Sequence, residues 1–443
     1  MTDRRRMPGG AQLFLIGACV GFVIALVVVE LVPMPEEPDL AHYREVRDFV
    51  REAAVREVTD DELLDLALHG MLSGIDVYSR YYDRDEAQAL DRETVGRYVG
   101  IGVVFKRPII EGQVLFPLAG SPAARAGLAV GDRILEIDDR PLAEMTSDEL
   151  RATLSSLDAE TLRVRVVSRS GEERRLRIQP ESVVDPTVRH TGLVDRERKI
   201  GYIAILSFSR ETPAEFDSAF RFLEERGMQG LVLDLRGNHG GVLVSAVRIA
   251  RRFMAPKAED RGGVIVSTEG RGEPIAYRAD PEEAWYAGFP LVVLVDGESA
   301  SASEVLAAAL QEHRLAVVTG SPTYGKGMVQ TIRRFVEQET VAKITSSYYY
   351  SPTHRNFERT VPPGREYGIL PDLAVALLPL EADEIHAFLN RYSPPLEAIG
   401  HLEDWEREEG IQLIEAHPPD AQLQAALDLF AGIRPGPHRI QNE

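Results

Sequence analysis

Apolar residues recur along this chain with several different spacings, and each change of spacing marks a part. Residues 11–32 are apolar apart from a few interruptions, with Gln12 and Glu30 near the ends; at about 1.5 Å per residue the run matches a bilayer core. A proline-rich acidic spacer follows, Pro33-Met34-Pro35-Glu36-Glu37-Pro38. Between Leu40 and Met71 apolar residues fall at helical spacing, among them Val46, Phe49 and Val50, then Leu63, Leu64, Leu66 and Leu68, which predicts two helices. From near Val95 to near Pro180 the pattern is one of short runs and turns. Strands are expected at 101–105, 114–116, 134–137, 162–167 and 175–178, and helices at 121–126 and 147–155, a small, partly open β-domain. From Lys199 apolar strands at 200–205, 230–235, 291–295 and 316–319 alternate with helices at 213–226, 244–253 and 303–312. Alternation of this kind predicts an α/β core with a largely parallel sheet, whose ligands bind at the carboxyl ends of the strands. Beyond Leu380 the chain is helical and acidic, with residues 422–427 in the last helix.

The expected fold class is therefore α/β and multidomain. Residues 1–35 form a cytoplasmic tip and transmembrane helix, 36–92 a helical segment, 93–182 the β-domain, 183–380 the α/β core and 381–443 a helical extension. A chain of 443 residues with 44% hydrophobic and 27% charged residues has room for such cores. Fifty basic against 70 acidic residues, a net charge of -20, argues against a general nucleic-acid partner, which needs basic surface. The lone cysteine, Cys19, rules out a disulfide within the chain, and no Cys/His cluster offers a zinc site; no metal or cofactor is expected. Arg4-Arg5-Arg6 ahead of the apolar run should stay cytoplasmic while the remainder is exported. A cleaved signal peptide is disfavoured because the run is long and no small-x-small site closes it. Ile16-Gly17-Ala18-Cys19 resembles a lipoprotein cleavage box, but apolar sequence continues after Cys19, so an uncleaved anchor is the expectation.

Candidate chemistry gathers at three places in the core. Ser301 lies in Gly297-Glu298-Ser299-Ala300-Ser301-Ala302-Ser303-Glu304, before an apolar helix. The same residues read as a capping box or as a serine presented at a strand-to-helix turn, with the next amide facing an oxyanion; sequence alone leaves both open. Lys326 lies in Thr323-Tyr324-Gly325-Lys326-Gly327-Met328-Val329-Gln330. A buried lysine with a lowered pKa can take the proton of a serine hydroxyl. Residues 320–326 also fit the phosphate-loop pattern, but Gly327 replaces the Ser/Thr that would hold magnesium and a strand follows in place of a helix, which excludes that reading. Gln330, four residues on in that strand, should share a face with Lys326 and position its amine. Asp234-Leu235-Arg236-Gly237-Asn238-His239-Gly240-Gly241 is a glycine-rich turn that would expose an amide at Gly240 or Gly241 as an oxyanion donor, paired with the amide of Ala302. His239 is read as incidental, since nothing in an extended turn fixes a Ser-His-Asp geometry.

Taken together, the Ser-Ala-Ser-Ala-Ser-Glu run ending at Glu304, Tyr-Gly-Lys-Gly-Met-Val-Gln ending at Gln330, and the Asp-Leu-Arg-Gly-Asn-x-Gly-Gly turn resemble the carboxy-terminal processing peptidases, or tail-specific proteases. Ser301 and Lys326 are 25 residues apart, as in that family. Tyr98-Val99-Gly100-Ile101-Gly102, Ser121 to Leu128 and Gly131-Asp132-Arg133-Ile134 are similar to a PDZ domain; Ile75 to Ser79 before that unit and Tyr367 to Asp372 after the core further resemble the peptidase family. Where members commonly carry Leu-Arg-Gly after the second PDZ helix, this chain has Leu154-Ser155-Ser156. The resemblance implies a serine endopeptidase with Ser301 as nucleophile, Lys326 as general base and Gln330 orienting the lysine. It implies an oxyanion hole from Ala302 and Gly240 or Gly241, and capture of substrate C-termini by Tyr98, Gly100, Ile101 and Gly102. With the anchor, the expected location is a bacterial inner membrane with the catalytic part facing the periplasm. Expected partners are proteins with accessible C-terminal tails and the membrane; a homo-oligomer and an adaptor stay open. The alternative is a catalytically silent PDZ scaffold that keeps the fold.

Overall fold

The computed structural model describes residues 38–87, 90, 97–155, 161–255, 261–360 and 366–432. The chain divides into two compact units, Met1–Ile75 and Asp76–Glu443. In the first, the two expected helices are Pro38–Ala53 and Asp60–Ser73. The Thr59 side chain caps the second by accepting from the Glu62 amide, and Asp60, Asp61 and Glu62 in its first turn complement the positive end of the helix dipole. The expected anchor at 11–32, with Cys19, lies outside the described residues. Among those described, no helix is long and apolar enough to cross a membrane.

In the second unit, the core sheet has six strands in the order Val188–Asp195, Ile200–Ile205, Gly230–Asp234, Leu291–Val295, Val317–Gly320, Leu373–Ala374. The first pair is antiparallel and the other four are parallel. Ile200–Ile205, Gly230–Asp234 and Leu291–Val295 are buried at every position, because both faces of the sheet are covered. On one face Ile203, Leu233 and Val293 pack with Phe216, Phe220, Val247 and Leu306, which belong to helices Thr212–Glu225, Leu243–Phe253 and Ala302–Glu312. On the other, Tyr202, Val232 and Leu294 pack with Ile385, Phe388, Leu423 and Leu427. Those four come from helices Pro379–Leu389 and Ala421–Leu429. Helices Pro379–Leu389 and Ala421–Leu429 of the extension read from residue 381 thus form one layer of the core sandwich, whereas Leu402 and Trp405 of helix Leu396–Glu409 pack with the small β-domain.

A second sheet was only partly legible. Thr340–Tyr350 is antiparallel to Arg80–Tyr82, Met328–Phe335 and Val264–Gly270, and the last pairs with Ile275–Arg278. Of these strands only residues 328–332 were expected, and as a buried strand, which the exposure of residues 331–335 corrects. That strand buries Met328 alone, so it carries almost no alternation to read.

In the small β-domain, the expected strand at 101–105 is broken. Strands Arg97–Gly100 and Val103–Phe105 flank Ile101-Gly102, with Gly102 at φ +72°. A Cβ there would come within 2.3 Å of Ser121 Cβ, so the turn needs glycine on both counts. Ser121 caps the short helix Pro122–Arg125, and Thr146 with Glu149 forms a capping box on Ser147–Leu154. Val103–Phe105 pairs only with Val114–Pro117 among the described strands, and its other edge is open.

Candidate active site

Strand Leu291–Val295 ends at Asp296, whose Oδ1 accepts from the amides of Glu298 and Ser299 at 3.0 Å each. This turn delivers Ser301, 7% exposed, immediately before helix Ala302–Glu312. Ser301 has φ +56° and ψ -113°, outside the comfortable regions for an L-residue, which stores strain at a sharp strand-to-helix turn. The strain is held by neighbours. The Ala300 amide donates to the Asn238 carbonyl at 3.0 Å, the Ser303 hydroxyl donates to the same carbonyl at 2.8 Å, and the Ser301 amide donates to Glu304 Oε2 at 2.8 Å. The last bond is the reverse arm of the capping box read from sequence, so the capping and nucleophile geometries coexist.

Glu304 does more than cap. Fully buried, it also accepts from the Thr323 hydroxyl at 2.6 Å and the Gly325 amide at 2.7 Å through Oε1, and from the Lys326 amide at 2.8 Å through Oε2. One carboxylate therefore fixes the backbone of Ser301 and of Lys326 together. Burial pushes its pKa up, and the four donors oppose the shift. The sequence showed Glu304 only as a cap; its second role depends on a loop more than 20 residues away.

The Lys326 loop is as tight as its glycines suggest. A Cβ at Gly325, φ +82°, would meet the Tyr367 ring at 2.8 Å, and one at Gly327 would meet the Glu358 amide nitrogen at 2.6 Å. Lys326 is half-buried and its pKa is lowered, first by desolvation and then by the charge of Lys343. Its Nζ lies 5.2 Å from the centre of the Tyr78 ring. Tyr78 is brought there by an Asp76 turn that accepts from the Tyr78 and Ser79 amides at 2.7 and 2.9 Å. No hydrogen bond joins Lys326 Nζ to Ser301 Oγ among the described residues. The Ser301 side chain instead faces the buried Tyr349 hydroxyl, whose pKa burial pushes up to about 12 while Ser301 pulls it down. Gln330 is not on the lysine either: its amide donates to the Met328 carbonyl at 3.3 Å. The strand starts only at Met328, so strand alternation does not relate Gln330 to Lys326, which lies in the loop before it.

The glycine turn meets the serine. A Cβ on Gly240 would lie 2.9 Å from Ser301 Cβ and 3.0 Å from the Ala302 nitrogen. The Gly240 amide is occupied, donating to Asn238 Oδ1 at 2.8 Å. Those of Gly241 and Ala302 have no hydrogen-bond partner among the described residues, so both are available to an oxygen placed beside Ser301. His239 Nδ1 bonds the Glu298 carbonyl at 3.2 Å, away from Ser301. Asp234 and Arg236 form a buried pair at 2.6 Å, joined by Asp420 at 2.7 Å and by the Tyr202 hydroxyl on Asp234 at 2.6 Å. That network ties the motif to the final helix, which Asp420 caps.

In the small domain, the amides of Ile101 and Gly102 have no hydrogen-bond partner among the described residues and are available to an acceptor in the cleft. Tyr98 and Gly100 to Phe105 line a cleft of about 1930 Å³, with Leu150 and Leu154 opposite. Ile101 is 1% exposed, part of the domain core as well as the cleft wall.

A buried serine at a strained turn, a half-buried lysine on an adjoining loop and free amides beside the serine define, on this α/β core, a serine-type peptidase. Residues 199–375 match the model of peptidase family S41, and residues 117–168 match that of the PDZ domain. The chain is 31% identical over 344 residues to the carboxy-terminal-processing protease of Bartonella bacilliformis, covering 76% of this chain and 75% of that one. It is 31% identical over 288 residues to the carboxy-terminal processing protease CtpA of Bacillus subtilis, covering 65% of this chain and 60% of that relative. Among solved structures, the photosystem II D1 C-terminal processing protease aligns with a TM-score of 0.42 at 25% identity, covering 75% of this chain and 86% of that one. The chain belongs to the carboxy-terminal processing peptidases of family S41.

Proposed function

We propose that this protein is an endopeptidase, anchored in a bacterial inner membrane and facing the periplasm, that holds substrate C-termini in its PDZ domain and cleaves through a Ser301–Lys326 dyad. The neutral Lys326 amine takes the proton from Ser301 Oγ as the oxygen attacks a peptide carbonyl. The Ala302 and Gly241 amides receive the oxyanion. The lysine then returns its proton to the leaving amine, and a water activated by the same amine hydrolyses the acyl-enzyme. The observation that carries the reading is the Glu304 carboxylate, whose bonds to the Ser301 and Lys326 amides lock the two backbones into one constellation. The lowered Lys326 pKa supports its use as a base. In the arrangement described, the amine rests over Tyr78 and must swing to Ser301 before reaction.

In the PDZ domain, the amides of Ile101 and Gly102 would receive the terminal carboxylate, and the open edge of Val103–Phe105 would pair with the tail as an added strand. Gln330 would reach the lysine only after the same rearrangement. The anchor is read from residues 11–32 and Arg4 to Arg6; a homo-oligomer and an adaptor belong to the same proposal.

The test is cleavage of an unstructured protein with an apolar tail by the full-length chain. Ser301→Ala and Lys326→Ala should each abolish it, and amidation of the substrate's C-terminus should slow it. Cleavage that survives Ser301→Ala sinks the dyad. For the anchor, the protein should stay with carbonate-washed membranes and be digested by protease added to the periplasmic side; recovery in the soluble fraction contradicts it.

A further inference from the structure

The cleft lined by the PDZ domain is shared with the core, through residues 190–194 and 390–394, and has a further wall from a distant part of the chain. Beside Gly100 to Phe105 and the helix Ser147–Leu154, it is lined by Glu403, Glu406 and residues 412–417, which follow or belong to helix Leu396–Glu409. Strand Val103–Phe105 alternates faces: Val103 and Phe105 pack into the domain core, whereas Val104 packs in the cluster of Trp405, Leu413 and Ile414. The alternation continues one residue further. The Lys106 amide donates to the Gln113 carbonyl at 2.8 Å, and its Nζ lies 5.9 Å from the centre of the Trp405 ring. The register slip in this hairpin skips Leu115, on the partner strand, so 103–106 stays regular.

That geometry numbers the positions of a bound tail, given the tail-capture reading proposed above. With its carboxylate on the Ile101 and Gly102 amides, an antiparallel tail sets its last residue opposite Val103. The second from the end then faces Val104, the third Phe105 and the fourth Lys106, and facing residues share a side of the sheet. The second and fourth tail residues therefore project toward Trp405, Leu413 and Ile414.

The charges of the cleft differ in one respect. Its acids are engaged: Glu403 with Arg196 at 3.8 Å, Glu406 with the Leu413 and Ile414 amides at 2.7 and 2.6 Å, Glu415 with Arg391. Arg151 pairs with Asp148 at 3.5 Å, and Arg226 lies over Phe222. Lys106 and Arg107, both lining the cleft, have no carboxylate partner among the described residues, in a chain of net charge -20. We propose that the cleft selects protein tails with an acidic side chain at the fourth position from the C-terminus, read by Lys106 against Trp405, with Arg107 supporting it and the segment around Leu413 and Ile414 walling the second position.

The test is the binding of fluorescent eight-residue peptides to the full-length chain carrying Ser301→Ala. The peptides differ only at the fourth position from the end, Glu, Ala or Lys, with a C-terminally amidated control. We expect Glu over Lys by roughly three- to ten-fold, weakening with salt, as one partly exposed charge pair allows. Lys106→Glu should invert the order and Lys106→Gln should shrink it to what Arg107 supplies, each read as the Glu-to-Ala and Lys-to-Ala ratios on the same variant so that any change common to all peptides cancels. Equal binding of the Glu and Lys peptides, or a preference that survives Lys106→Glu, overturns the proposal. Amidated peptides that bind as well as free ones overturn the tail-capture reading instead, whatever the fourth residue does.

Discussion

Replacing Glu304 with glutamine keeps the side chain's volume and removes half of its accepting capacity. The carboxylate oxygens receive four donors, the Ser301 and Lys326 amides on Oε2 and the Thr323 hydroxyl and Gly325 amide on Oε1. A carboxamide turns one oxygen into an NH2 group, which must face one of those pairs. Facing Ser301 and Lys326, it orphans both amides. Facing Thr323 and Gly325, it lets the hydroxyl rotate to accept but still opposes an amide. Each buried donor left without an acceptor costs about 1–3 kcal/mol, so the gross loss is about 1–6 kcal/mol. Burial disfavours the Glu304 charge and holds its pKa up, so the neutral side chain recovers part of that. A net destabilisation of about 1–4 kcal/mol is expected, roughly 2–16 °C in the melting temperature of a core this size. Activity should fall further, since a displacement of about 1 Å in reacting groups can cost about a hundredfold. Calorimetric melting and kcat/KM on a tail-bearing fluorogenic substrate measure the two effects. A Glu304→Gln protein with wild-type melting and wild-type kcat/KM would refute the assignment of Glu304 as the tie between serine and lysine.

Other expectations follow from the same contacts. Lys326 acts only when neutral and its pKa is lowered, so kcat/KM should rise with pH with a midpoint below the ordinary lysine value of about 10.4. Lys343→Gln removes a charge that lowers that pKa, so it should move the midpoint upward; an unmoved profile excludes Lys343 from the site's electrostatics. Gly240→Ala sets a Cβ 2.8 Å from the Ala300 carbonyl oxygen at φ +100°, and should abolish cleavage while costing at least about 1–2 kcal/mol of stability; full activity would mean the turn is not packed against Ser301. Arg236→Ala leaves Asp234 and Asp420 buried without their shared cation and should destabilise by about 3–5 kcal/mol, with early proteolysis near residue 420 as its signature. A melting change under about 1 kcal/mol would show that other groups hold the last helix.

Much of the parallel sheet was legible because strands such as Ile200–Ile205 and Leu291–Val295 are buried on both faces and so carry continuous apolar runs. The antiparallel hairpin of Met328–Phe335 with Thr340–Tyr350 was read only at residues 328–332, because the first strand is mostly exposed and the second mostly half-buried, and neither carries a continuous apolar run. Within the site, the three motifs named Ser301, Lys326 and the Gly240-Gly241 turn. They did not show Tyr78 beneath the lysine, reached through an Asp76 turn far upstream, nor the Asn238 side chain that occupies the Gly240 amide.

The sequence by itself determined the class of chemistry and where it lies along the chain, since residue types and spacing define which groups can donate, accept or carry a proton. Only the tertiary structure decided which groups meet. It showed one carboxylate, Glu304, gathering donors from two loops, and Lys326 resting on Tyr78 instead of on Ser301. It also brought the residues after helix Leu396–Glu409 to the PDZ cleft. Those pairings depend on chain segments up to several hundred residues apart packing into the same volume, and no local pattern of residues records that.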